Sequence, residues 1–204
     1  MKNQNNIYPV FDKILKRADK ENLLKQRSKV IWMTGLSGAG KTTIAKHLDE
    51  ELYKLGYVAQ ILDGDNIRSG INSNLSFSAE DRYENIRRIA EVSKLFINCG
   101  IIIINSFISP TEEIRQMAMN IIGKENFIEV YVNAPIEVCE KRDLKGLYAK
   151  ARRGEIKNFT GIDSPFEFPE GTDIEVKTDV QTVEESVKQI LDSILPQIKF
   201  NPES

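Results

Sequence analysis

The chain has 204 residues, 41% of them hydrophobic, enough for one core of ordinary size, so a single main domain is expected. Its 28 basic and 30 acidic side chains nearly cancel, which argues against a nucleic-acid or membrane-surface partner held by a global field; any bound anion must be gripped locally. No apolar run approaches the roughly 18 residues that a membrane span needs. Cys99 and Cys139 lie far apart, with no Cys-x-x-Cys spacing and no signal peptide, which points to reduced thiols packed in the core of a cytoplasmic protein.

Residues 1–28 are rich in Lys, Asn, Asp and Glu, with Ile14, Leu15, Leu23 and Leu24 scattered among them, the pattern of an accessory helical arm. From Val30 short apolar runs alternate with helix-period segments. The order is a strand VIWMT with Trp32 and Met33 in the core, a helix from Lys41 to Leu55, a strand VAQIL, and a helix from Ala79 to Asn98. A strand IIIIN follows, then a helix from Pro110 to Ile122, a strand FIEVYV and a short helix after Pro135. This alternation predicts an α/β fold of three layers, a mostly parallel sheet with helices on both faces. Residues 145–169 break the rhythm, basic first and then rich in Gly, Pro and Phe, and read as a mobile lid. A last helix from Val183 to Leu195 opens with capping-box spacing at Thr182 and Glu185. The main domain is thus expected over 29–200, with a tail at 201–204. In such a sheet ligands sit at the carboxyl ends of the strands, so the residues just after each apolar run matter most.

GLSGAGKT, Gly35 to Thr42, satisfies G-x-x-x-x-G-K-[ST] directly after a predicted strand and directly before a predicted helix, where a phosphate-binding loop must stand. Gly35, Gly38 and Gly40 free the backbone to wrap phosphates, Leu36, Ser37, Ala39 and Thr43 complete the loop, and the following helix presents its positive end. Lys41 is expected to reach the β- and γ-phosphates of ATP or GTP, and Thr42 to ligand Mg²⁺. A ligand-free glycine turn is the alternative. His47, six residues into the helix, points to packing or solvent.

LDGDNIR puts Asp63 and Asp65 at the second strand's carboxyl end, with Arg68 just beyond. Asp63 is a candidate to hold Mg²⁺ through water or to accept a proton from an attacking hydroxyl, and Asp65 and Arg68 to hold the acceptor. A plain Asp/Gly turn would give the same string. In FSAEDRYENIRR, Ser78 can cap a helix on which Arg82, Asn85 and Arg88 share a face, either a site for sulfate or phosphate or simply a solvated face. Phe77 could stack on a base. NSFISP places Ser106, Ile108 and Ser109 at the third strand's edge; Ser109 reads first as the helix cap, with Pro110 at the first helical position, and second as a phosphoserine nucleophile.

Taken together, GLSGAGKTTIA, LDGDNIR, FSAEDRYENIRR, SFISP, RDLKGLYAKARRGEIKNFTGID and PFEFPE resemble the adenylylsulfate kinase family in order and spacing, from about Val30 to Leu195. The resemblance implies transfer of the γ-phosphoryl of MgATP to the ribose 3′-hydroxyl of adenosine 5′-phosphosulfate (APS), giving 3′-phosphoadenosine 5′-phosphosulfate and ADP in sulfate assimilation. It implies a homodimer and leaves open association with an ATP sulfurylase. By position, Phe77 and Phe159 resemble an aromatic pair sandwiching the substrate adenine, and Asp65, Arg68, Arg82, Asn85, Ile108, Ser109 and Lys145 its other contacts. Asp63 resembles the metal and base carboxylate, and Arg142 an arginine near the ATP base or phosphates. Three departures from the family pattern stand out: Ser76 stands where Gly is usual, which should stiffen the approach to Phe77; Thr111 and Glu112 replace Tyr-Arg; and Ala149 replaces a lid lysine. A nucleoside or sugar-acid kinase and a non-catalytic nucleotide-binding module are the rival readings.

Overall fold

The computed structural model describes residues 8–10 and 13–201. Five strands, β1 (Val30–Thr34), β2 (Ala59–Asp63), β3 (Ile102–Ser106), β4 (Phe127–Asn133) and β5 (Ile174–Lys177), form one sheet in the order β2-β3-β1-β4-β5, every pair parallel. The central strand β1 is buried throughout, and its side chains alternate between two cores. Ile31 and Met33 pack under α2 (Lys41–Lys54) and α8 (Val183–Ile198), whereas Val30 and Trp32 pack under α4 (Ala79–Ile97) and α5 (Glu112–Ile122). Continuous apolar strands covered on both faces are what the alternating sequence predicts.

Several boundaries differ from expectation, each for a local reason. The helix expected from Pro110 begins at Glu112, and its cap is Thr111, whose hydroxyl accepts from Ile114 N, not Ser109. Ser109 cannot start it: its φ is 40°, and its hydroxyl is turned inward to Trp32 and Thr34. Strand β5 was not foreseen. Only Ile174 and Val176 of its four residues are buried, too short an alternation to stand out beside an acidic, glycine-rich approach. Nor was the short α3 (Gly64–Ser69), which forms because the Asp63 carboxylate caps it by accepting from Asp65 N at 3.1 Å. Cys139 is buried as expected, but Cys99 is exposed, since it lies just beyond the end of α4.

Within the described part of the arm, α1 (Arg17–Leu24) is anchored by polar side chains: Ile14, Leu15 and Leu23 stay exposed. Glu21, buried, accepts from Ser28 N–H and hydroxyl, and Gln26 bonds Val58 and Gly100 between β2 and β3. The region 145–169 carries α7 (Leu147–Arg152), and its distal end is tied to α5: Glu167 accepts from Glu112 N and from Arg115, and donates to Pro110 O.

Candidate active site

Residues of the GLSGAGKT, LDGDNIR, FSAEDRYENIRR, SFISP and RDLKGLYAKARRGEIKNFTGID strings converge on the carboxyl edge of the sheet, in a cavity of about 650 Å³. A second cavity, lined by Leu36, Ile136, Phe166 and Phe168, contains none of Lys41, Thr42 and Asp63, so the chemistry belongs to the first.

The cradle forms because β1 stops at Thr34 and the chain must turn sharply into α2. Gly35 sits at φ 148°, and a Cβ there would lie 2.4 Å from Val132 O; at Gly38, φ 76°, it would lie 2.9 Å from Cys139 O. Only glycine fits. Ser37, Gly38, Gly40, Lys41, Thr42 and Thr43 face the cavity, while Leu36 and Ala39 are buried in the core behind it. Lys41 Nζ is buried and donates to Gly35 O and Leu36 O, both at 2.8 Å. Burial pushes the Lys41 ammonium down to about 8, although Asp63 and Asp65 pull the other way. A phosphate entering the loop would offer the lysine a better partner than two carbonyls.

Thr42 Oγ1 donates to Asp63 Oδ2 at 2.8 Å, and Ser106 Oγ stands 3.4 Å from it. Two hydroxyls and a carboxylate are hard oxygen donors, a set that fits a hydrated Mg²⁺ beside phosphates. Arg142 donates to the side chain and carbonyl of Thr178, whose hydroxyl in turn bonds Ala39 O, so the arginine is fixed against the cradle's flank.

Across the cavity stand Asp65, Arg68, Phe77, Arg82 and Asn85, with Ile108 and Ser109 at the floor and Lys145 and Phe159 from the lid. Arg68 lies 4.3 Å from the centre of the Phe77 ring and donates to Ser76 O. Ser76 donates through N–H and hydroxyl to Asp81, bonds that tighten the approach to Phe77. Lys145 pairs with Asp65, joining lid and α3. Asn85 is buried and accepts from Asn72 at 3.0 Å, whereas Arg88 turns away to Glu84 and Asn74, leaving Arg82 and Asn85 as the inward part of that helix face. Ser109 is 2% exposed, and its hydroxyl accepts from Trp32 Nε1 and donates to Thr34 Oγ1, both at 3.1 Å.

Sequence reasoning missed Tyr148, Thr160 and Thr178, which also line the cavity. Tyr148, inside the lid string, donates to Ser37 O at 2.9 Å; its place in KGLY was the available signal. Thr178 follows an unforeseen strand and had none.

A phosphate nest at the tip of a central parallel strand, with a carboxylate at a nearby strand tip and a basic segment across the opening, defines the class: a P-loop kinase. A family model described as adenylylsulphate kinase matches residues 27–177. An adenylyl-sulfate kinase of Bacteroides fragilis is 62% identical over 198 residues, 97% of this chain and 98% of that protein. One from Thermodesulfovibrio yellowstonii is 48% identical over 200 residues, 98% of this chain and 100% of its own length. Among solved structures, the Mycobacterium tuberculosis APS kinase CysC in complex with AMPPNP and APS superposes with a TM-score of 0.80 at 42% identity, covering 83% of this chain and 98% of that one. The chain belongs to the adenylylsulphate kinase family and is an ATP-dependent kinase. A gluconokinase from Sinorhizobium meliloti, at 18% identity and a TM-score of 0.57, shares the fold alone.

Proposed function

We propose that this chain phosphorylates the ribose 3′-hydroxyl of APS with MgATP, giving 3′-phosphoadenosine 5′-phosphosulfate and ADP. The observation that carries the reading is one continuous cavity with the cradle on one side, an arginine- and phenylalanine-bearing wall on the other, and Asp63 between them, bonded to Thr42. ATP lies with its phosphates in the loop around Lys41 and its base side toward Arg142 and Thr178. APS lies with its adenine between Phe77 and Phe159 and its sulfated end toward the arginines, with Asp65, Asn85, Ile108, Ser109 and Lys145 around it. Mg²⁺ would come with ATP; Thr42 and Asp63 would hold it, and it would offset the charge of the phosphates.

In the transfer, the bond from O3′ to the γ-phosphorus forms as the bond to the β,γ-bridging oxygen breaks, and ADP leaves with that oxygen's charge. Asp63 takes the 3′-hydroxyl proton directly or through water. Lys41 and the backbone N–H groups of the cradle neutralise the charge that spreads over the transferred group. Direct in-line transfer is favoured over a phosphoserine because the Ser109 hydroxyl is enclosed by Trp32 and Thr34. The lid closes over both nucleotides and excludes water.

The test is ADP release from MgATP with APS, adenosine, gluconate or no acceptor. Release dependent on APS alone is expected. Equal release with adenosine or gluconate would point to another small-molecule kinase, and none with any acceptor to a binding module. The same reading carries homodimer assembly and association with an ATP sulfurylase, which light scattering and co-purification with that enzyme would check.

A further inference from the structure

Phe159 owes its place in the cavity wall to contacts made behind it. Asp163 accepts the N–H of Asn158 at 2.7 Å through one carboxylate oxygen and the N–H of Phe159 through the other. Between these anchors Asn158 takes φ 58°, a left-handed conformation that asparagine tolerates better than most side chains. Its carbonyl then meets Arg82, which also donates to the Thr160 hydroxyl and to the carbonyl of Phe77. One guanidinium therefore bridges the two loops that carry the aromatic rings. The Phe159 ring is braced edge-on by Tyr148, 4.9 Å away, which is itself bonded to Ser37 in the cradle. Asp163 itself faces the outer cavity and does not line the catalytic one.

We propose that Asp163 is a positioning residue for the acceptor, which holds the loop 158–163 so that Phe159 stands at a set gap from Phe77 before APS arrives. The inference rests on the aromatic-clamp reading given above. A ring on a loop fixed in advance need not be ordered when the substrate binds, and charge-assisted bonds to two successive N–H groups are a strong way to fix it. The bond pattern also accounts for asparagine at position 158: the loop needs a residue at ease with positive φ.

The test uses the full chain and initial rates with each substrate varied at saturation of the other. Asp163→Ala is expected to raise KM for APS about tenfold, leaving KM for MgATP and kcat within about twofold. Asp163→Asn, which keeps one acceptor oxygen, should fall between. Asn158→Gly should behave like the parent, whereas Asn158→Ala, strained at this φ, should raise KM for APS alone. This pair decides the matter should Asp163→Ala fail to fold. Phe159→Ala runs in parallel: if it raises KM for APS while Asp163→Ala and Asn158→Ala do not, the inference is overturned and the clamp stands. If Phe159→Ala has no effect, the clamp reading falls and takes the inference with it. A matching rise in both KM values would mark a general structural role and also overturn it.

Discussion

The cradle, Gly35 to Thr43, is one unbroken stretch of chain, whereas the opposite wall of the cavity is gathered from segments around residues 65, 77, 108 and 159. The cradle is held by backbone geometry that glycine alone permits, and its one charged side chain is satisfied within the loop by Gly35 O and Leu36 O. The acceptor wall is held by side chains reaching across sequence: Arg82 to Asn158, Lys145 to Asp65, Arg115 to Glu167. A contiguous site tolerates little change but needs little support; an assembled one can be retuned residue by residue and depends on its braces.

The sharpest break of that contrast is Lys41→Ala. Loss of the cradle's charge should lower kcat by about 10³-fold or more while circular dichroism shows an intact fold. The fold should not suffer, because the buried ammonium is disfavoured there. With its pKa lowered to about 8 from 10.5, the unfolded chain holds a proton the folded chain lacks between those values, so this group's contribution to stability improves as pH rises through that window. Next comes Asp63→Asn, which keeps the shape but removes the base and weakens the metal's hold. A fall in kcat of about 10²- to 10⁴-fold is expected in single-turnover measurements, with KM for APS little changed. Full activity would remove the assignment.

A milder effect follows from the lysine's titration. In the free enzyme kcat/KM for ATP should decline as pH rises through about 8 and Lys41 loses its charge, while kcat, measured with phosphates beside the ammonium, should persist to higher pH. A kcat/KM profile that stays flat well above pH 8 would contradict the placement of Lys41.

The smallest effect concerns the brace beneath the acceptor wall. Arg115, 1% exposed, holds Ser109 O and Glu167 O, and lies 3.3 Å from Glu129. Burial pushes the Glu129 carboxyl up to about 7, with Arg115 opposing the shift and Glu112 and Asp173 reinforcing it. Between the ordinary value of 4.5 and about 7 the folded chain holds a proton that the unfolded chain lacks, so stability from this group falls as pH rises through that window. Glu129→Gln should flatten that slope in denaturant titrations, a change on the order of 1–3 kcal/mol across the range.

The same contrast explains what the sequence disclosed. The cradle was legible because its motif, its strand and its helix are consecutive, and the strands of the buried core were legible because both of their faces are apolar. Strand β5 was not, since at the sheet's edge it buries only alternate residues over a short span. The role of Ser109 as a helix cap was misread because S-P-T-E carries two possible caps, and only the tertiary pull of Trp32 and Thr34 on the Ser109 hydroxyl decides for Thr111. The residues of the family's strings do line the cavity, yet the bridges that set their spacing, Arg82 to Phe77 O and Asp163 to the Phe159 backbone, join atoms that no local pattern pairs. The anchoring of the arm through Gln26 and Glu21 was hidden for the opposite reason, because polar residues are not expected to be buried.

Phosphorus NMR of the product made from MgATP and APS examines the central claim most directly. A new phosphomonoester resonance coupled to the ribose 3′ proton is expected, growing in step with ADP and with the phosphosulfate left intact. ADP and inorganic phosphate without that resonance, or a phosphate carried elsewhere on the acceptor, would contradict it.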